Sequence, residues 1–203
     1  KNIIVVNKKA GLLTVSTTKE KDKTLYKMVS DYVKNVNKKN NIFVIHRLDR
    51  DTSGIVMFAK DERTKLLYQN NWNELVKSRR YYAVVDGILE KKQDTIKSYL
   101  EENENGYVYS SKYGKLAITE YKVIQEYKDK SLLDINIKTG RKNQIRVHMK
   151  DINHPIIGDN KYGIKGKKMY LCAYCLEMLN PNTKKVNKFN IDRPSSFKKI
   201  DKI

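Results

Sequence analysis

Apolar residues in this chain recur mostly as short runs and as alternation, with only a few stretches at helical spacing. Ile3 to Val6 and Leu12 to Val15 are strand-like runs joined through Asn7-Lys8-Lys9-Ala10-Gly11. Leu25, Met28, Val29, Tyr32 and Val33 then recur at the period of a helix, which predicts an amphipathic helix from Thr24 to Val36. The runs Ile42 to Ile45 and Ile55 to Ala59 flank a polar stretch and predict strand, tight turn, strand. A second helix is expected over Asp61 to Val76, with Leu66, Leu67, Trp72 and Leu75 as its apolar surface. Tyr81 to Val85 reads as a strand ended by Asp86-Gly87, and Ile96 to Leu100, Tyr107 to Ser110 and Ala117 to Tyr127 as further strands. Leu133, Ile135 and Ile137 alternate with polar residues, the pattern of a half-buried strand. Lys142 to Ile152 has a helical rhythm through Ile145, His148, Met149 and Ile152, and Tyr170 to Met178 reads as a late strand.

Strands outnumber helices and many are joined by short turns. The expected class is α+β, a mixed, largely antiparallel sheet with flanking helices. With nine Gly, three Pro and no linker, repeat or low-complexity tract, residues 1–203 are expected to form one domain, with a polar tail after Pro194.

Charge narrows the partner. Lys and Arg number 42 against 23 Asp and Glu, a formal net charge of +19. A chain that basic repels itself, and nucleic acid is the natural counter-charge, because each neutralised phosphate releases counterions. The bland reading is composition bias, since Lys, Asn and Ile are abundant throughout. No apolar stretch reaches the length of a membrane span and no signal-peptide pattern opens the chain, so a cytoplasmic protein is expected. Cys172 and Cys175 have the spacing of half a zinc site, but His46, His148 and His154 are scattered and supply no second pair. Buried small hydrophobes are the better reading, and neither a metal nor another cofactor is expected.

The stretch richest in chemistry is His46-Arg47-Leu48-Asp49-Arg50-Asp51-Thr52-Ser53-Gly54. Asp49 sits between two arginines on the connection between two strands, where a substrate can reach it. Gly54 accepts a positive φ, and Thr52 and Ser53 can hydrogen-bond the turn's amides, so the turn can hold a carboxylate still. Exposed ion pairs between Asp49 and its neighbours are the bland alternative.

This string resembles the signature loop of the RluA-type RNA pseudouridine synthases, in which the aspartate matching Asp49 is the nucleophile. Two further segments match the same family in order. Arg79-Arg80-Tyr81-Tyr82-Ala83-Val84-Val85-Asp86-Gly87 resembles its basic-x-Tyr-x-Ala-x-Val-x-Gly strand, which implies that Tyr81 is the active-site tyrosine. Thr139-Gly140-Arg141-Lys142-Asn143-Gln144-Ile145-Arg146-Val147-His148 resembles its Thr-Gly-Arg-x-His-Gln-Ile-Arg-x-His block, and implies that Arg146 pairs with the catalytic aspartate. His154-Pro155-Ile156-Ile157-Gly158-Asp159, the Asn7-to-Leu12 segment, Pro181 to Thr183, and Arg193-Pro194 with Phe197 also fall where family landmarks would. The resemblance thus spans nearly the whole chain. Lys9 stands where proline is usual, Asn143 replaces a histidine, and Cys172 falls where histidine is common. These departures bear on fine positioning rather than on the nucleophile.

The resemblance implies an isomerase that detaches a uracil from its ribose, turns it and rejoins it through carbon, with no redox change. Attack at the ribose anomeric carbon, loss of the C2′ proton and addition to the base all stay open as routes for the carboxylate. A cation at Arg146 would favour ionised Asp49, and Tyr81 could stack on the base. The uridine must leave its stack, at a cost of roughly a few kcal/mol. Arg47, Arg50, Thr52, Arg141 and Lys142 are candidate substrate-binding residues, as is His46, for which a packed ring is the alternative. The family acts on ribosomal and transfer RNA, and many members carry an S4-type domain. None precedes Lys1, so RNA choice is expected from the catalytic domain or from sequence upstream, in a monomer. A non-catalytic RNA-binding domain and a metal-dependent nuclease using Asp49 and Asp51 are the competing classes.

Overall fold

Apolar runs become strands, and amphipathic stretches helices, in a computed structural model that describes residues 2–181, 183–198 and 200. In chain order these are β1 (Ile3–Lys8), α1 (Leu25–Val36), β2 (Phe43–Val44), β3 (Ser53–Ala59), α2 (Glu62–Asn70), α3 (Trp72–Leu75) and β4 (Val76–Asp86). There follow β5 (Gln93–Glu102), β6 (Val108–Ser111), β7 (Lys115–Glu126), β8 (Lys130–Ile137), α4 (Gln144–Asp151), β9 (Leu171–Leu179) and β10 (Val186–Asn190). The class is α+β with mostly antiparallel pairing, as the patterning predicts. The chain gathers into two compact units, Lys1–Lys77 with Cys175–Ile191, and Ser78–Tyr174 with Asp192–Ile203.

In the first unit β1 runs antiparallel to β3, from Ile3 opposite Ala59 to Lys8 opposite Gly54. Val56 and Phe58 of β3 pack with Leu25, Val29 and Val33 of α1. Ile55, Met57 and Ala59 pack with Tyr68, Leu75, Leu176 and Met178. A strand covered on both faces has no polar side to show, which is why this segment is apolar at every position. Helix α1 starts at Thr24, whose hydroxyl accepts the Lys27 amide. Its buried stripe is narrower than the apolar pattern, for Met28 and Tyr32 are 60% and 64% exposed.

Two expectations fail here. Leu12 to Val15 forms no strand: Leu13 makes a single bridge to Thr24, and the Thr14 hydroxyl turns to the Leu48 backbone instead. The helix expected over Asp61 to Val76 is broken at Asn71, which leaves the helical region (φ −115, ψ 31) while its side-chain amide donates to the Leu67 carbonyl. That side-chain bond competes with helical continuation, and Val76 already belongs to β4.

The second unit orders its strands β4-β8-β7-β5-β6, all antiparallel. Tyr81 and Tyr82 point to opposite faces of β4. Tyr81 is buried, whereas Tyr82 stacks on Tyr174 with ring centroids 3.8 Å apart and Arg193 5.3 Å over its ring. Arg80 pairs with Asp134, and the Tyr174 hydroxyl donates to the same carboxylate at 3.0 Å. Leu100, Val108, Ala117, Val147 and Tyr162 form a core under α4. The C-terminal segment is not the polar tail expected. Ser195–Lys198 makes a 3-10 turn that buries Phe197 against Tyr170, and Ile200 is buried as well. Residues 182, 199 and 201–203, which belong to that tail and to the Pro181 to Thr183 landmark, lie outside the described residues. Cys172 and Cys175 are both buried, as small hydrophobes would be.

Candidate active site

In the first unit, the chemistry-bearing loop begins where β2 ends. The Thr52 amide donates to the Asp49 carbonyl at 3.2 Å, closing a tight turn over Asp49 to Thr52, and Gly54 takes φ 116, which a side chain would resist. Asp49 is half-buried at the head of the turn and Thr52 is buried, while Arg47 and Arg50 are exposed. Arg50 pairs with Asp51 at 3.1 Å, both side chains open to water. His46 faces inward: its Nε2 accepts the Met57 amide at 3.1 Å, and its ring lies 5.5 Å from that of Trp72.

Three groups, from the end of β1 and the segment after it, hold this loop by its backbone. The Thr14 hydroxyl donates to the Leu48 carbonyl at 2.7 Å and accepts the Leu48 amide at 3.2 Å. The Gly11 amide donates to the Arg50 carbonyl at 2.9 Å. Lys8 spends its ammonium entirely on carbonyls, donating to Lys9 at 3.1 Å, Leu12 at 2.7 Å and Arg50 at 2.8 Å. Both neighbours of Asp49 are therefore clamped. Burial pushes the Lys8 pKa down to about 8, with Asp51 and Asp49 pulling it back up. Sequence reasoning passed over Lys8. A signal existed, because the period of two puts it on the same face of β1 as Ile4 and Val6, which pack against α1.

In the second unit, Thr139-Gly140-Arg141 leads into α4 through Gln144. The Gln144 side-chain oxygen accepts the Thr139 hydroxyl (2.8 Å) and the Arg141 amide (3.0 Å), and its nitrogen donates to Ile118 and Thr119. Helix α4 then presents Arg146 inward rather than on a solvated flank, with its side chain 10% exposed. Its Nε and Nη2 donate to the two oxygens of Asp159, each at 2.7 Å, and its Nη1 donates to Asn143 at 2.9 Å. Burial alone would raise the Asp159 carboxyl, but the Arg146 guanidinium and the amides of Lys161 and Tyr162 hold it below the usual range. Gly158 sets Asp159 in place: at φ 76, a Cβ there would sit 1.7 Å from the Lys168 carbonyl. Asp159 is the second residue that sequence reasoning left without a role, although it stands within the matched His154-to-Asp159 segment. Asn143, the departure from histidine, also positions. It adopts φ 53, which Asn tolerates, and bonds both Arg146 and the Tyr162 hydroxyl.

The remaining candidates of this unit lie near the helix start. Arg141 donates to the Leu116 carbonyl at 2.9 Å, and Lys142 pairs with Glu102, both at the surface. His148 is buried between Ser98 (3.0 Å) and Thr119 (2.8 Å), and burial pushes its pKa down to about 4. Among the described residues no group of three or more His, Cys, Asp or Glu is placed to hold a metal, and no helix is long and apolar enough to cross a membrane.

A fold of this class carrying these ordered motifs has counterparts among known proteins. A family model described as RNA pseudouridylate synthase matches residues 2–151. The chain belongs to the RNA pseudouridylate synthase family. It is 36% identical over 172 residues to an uncharacterized RNA pseudouridine synthase of Mycoplasma genitalium, a match covering 83% of this chain and 54% of that one. It is 31% identical over 209 residues to the ribosomal large subunit pseudouridine synthase D of Borreliella burgdorferi, covering 97% of this chain and 64% of that one. The chain thus spans between about half and two thirds of the length of these curated relatives. The solved structure of human RNA pseudouridylate synthase domain containing 4 superposes with TM-score 0.80 over 97% of this chain and 87% of its own, at 20% identity, a likeness of fold.

Proposed function

We propose that this chain is the catalytic domain of an RNA pseudouridine synthase that isomerises uridine in structured RNA, with ribosomal or transfer RNA as the substrate class and the cytoplasm as its compartment. The observation that carries this reading is the clamped Asp49 turn. A carboxylate is offered on a strand connection whose backbone is fixed on both sides by Thr14, Gly11 and Lys8. A nucleophile or a proton acceptor needs that kind of preorganisation.

In the proposed reaction the bond from ribose C1′ to uracil N1 breaks and a bond from C1′ to C5 forms. N1 gains a proton and C5 releases one, so atoms and electrons balance within the nucleotide and water. Asp49 is the nucleophile, Arg146 the cation that keeps a carboxylate ionised, and Tyr81 the ring on which the flipped base stacks. Arg47, Arg50, Thr52, Arg141, Lys142 and His46 are the substrate-contacting set. Family membership and relatives named as large-subunit pseudouridine synthases support RNA as the substrate.

The deciding experiment measures tritium release from bulk RNA labelled at uracil C5. The chain should release tritium with or without EDTA, and Asp49→Asn should not. Release by the Asn variant, or release abolished by chelator, would overturn the reading.

A further inference from the structure

The second unit carries a ladder of alternating cations and rings, of which the proposed chemistry uses only the innermost member. It begins at Arg146, whose guanidinium lies 5.1 Å from the Tyr162 ring. Lys161 lies 5.4 Å from the same ring and 5.6 Å from that of Tyr107. Lys150 then lies 5.8 Å from the Tyr107 ring. The two rings touch, with centroids 4.7 Å apart. Arg146 and Tyr162 are buried, Tyr107 is half-buried, and Lys150 and Lys161 are exposed. The ladder therefore runs from the interior to the surface.

Three bonds fix its upper rungs. The Lys161 ammonium donates to the Gly106 carbonyl at 2.7 Å. The Lys161 and Tyr162 amides both donate to Asp159, the same carboxylate that grips Arg146. Lys150 stands one helical turn after Arg146 on α4, so the two project from one face. Neither Lys150 nor Lys161 has a carboxylate partner among the described residues, whereas the neighbouring Lys142 is neutralised by Glu102. Two unneutralised ammoniums gathered over one tyrosine repel each other. The arrangement is stabilised by an anion between or above them, and the half-buried Tyr107 ring adds aromatic surface beside it.

We infer that Lys150, Lys161 and Tyr107 form a docking point for the phosphodiester backbone of the substrate RNA. The inference rests on the RNA reading above for its ligand, but not on the isomerisation. Asp159 couples the two, since one carboxylate orients Arg146 and the loop that carries Lys161.

The test compares Lys150→Gln/Lys161→Gln with a control of equal charge change, Lys38→Gln/Lys39→Gln, two exposed lysines of the first unit. Affinity for a fluorescein-labelled RNA stem-loop is followed by anisotropy across a potassium chloride series. Loss of two phosphate contacts should lower the salt slope of log K by about 1.5 and weaken binding at low salt, while the control keeps the wild-type slope. An unchanged slope in the double variant, or an equal fall in the control, overturns the docking point. Both variants alter only surface side chains, and an unchanged melting temperature verifies that folding is intact. Tritium release by the wild type is scored separately. Its absence, alongside a lowered slope in the double variant, sinks the synthase reading and leaves the docking point standing.

Discussion

Asp49 and Arg146 are held in opposite ways. The turn of Asp49 is secured through main-chain groups of Leu48 and Arg50, its chain neighbours, by a hydroxyl, an amide and one buried ammonium. Arg146 is secured through its own guanidinium, by Asp159 and Asn143. Exchanging the side chain of Asp49 leaves its support in place. Exchanging Arg146 or its carboxylate removes the support itself. The first region should therefore separate chemistry from stability, and the second should couple them.

The largest expected effect tests the first half of that contrast. Asp49→Asn should lower tritium release by at least about a thousandfold, in the range of single catalytic-group knockouts, while the melting temperature stays at the wild-type value. A melting temperature that falls with activity would erase the distinction. Next comes Asp159→Ala, which removes the carboxylate that accepts from Nε and Nη2 of the buried Arg146. It should cost about 3–5 kcal/mol in urea unfolding and reduce activity as well.

The two regions should also answer to opposite ends of the pH scale. Burial depresses the His148 pKa to about 4 from 6.5, with Asp151 opposing weakly. Between those values the unfolded chain binds more protons, so this stability is complete above about 6.5 and is lost as pH falls towards 4. The loss should reach about 3 kcal/mol, and His148→Gln should flatten that acid slope in denaturation midpoints.

Lys8 governs the alkaline side. Its folded pKa of about 8 lies below the ordinary 10.5, so between these values the unfolded chain binds more protons and folding stability rises with pH. Deprotonation nevertheless removes one of its three hydrogen bonds to the loop carbonyls. The turnover rate should thus fall through pH 8 while stability does not. Lys8→Met should lose that limb and run about ten- to a hundredfold slower, with its RNA affinity kept. A parallel loss of affinity would show that Lys8 serves the RNA surface rather than the position of Asp49. The smallest effect belongs to the exposed Arg50–Asp51 pair. Asp51→Asn should change stability by less than about 1 kcal/mol.

Much of this was readable from the chain alone. Alternation located β8, continuous apolar runs located β3 and β9, and helical spacing located α1 and α4, because each reports a face that must be covered. Three ordered motifs pointed to the family, since the residue types on such a turn and helix are constrained by chemistry as well as by packing. The broken helix at Asn71, the buried Phe197 and Ile200, and the loss of a strand at Leu12 to Val15 were not readable. Each depends on a partner distant in sequence or on a side-chain bond that outcompetes local propensity. The same holds for the supports of the site. In a chain so rich in lysine, only the period of two along β1 separates Lys8 from the exposed lysines around it, and that says nothing of what its ammonium holds. Only the pairing of β1 with β3, Lys8 opposite Gly54, carries its ammonium under the Asp49 turn. Asp159 likewise became the partner of Arg146 through the fold of the loop that follows α4. The sequence by itself determined which residues could do the chemistry and which segments could carry them. Tertiary structure decided which charges are buried and what each one holds, because burial and pairing of charge are properties of neighbours in space.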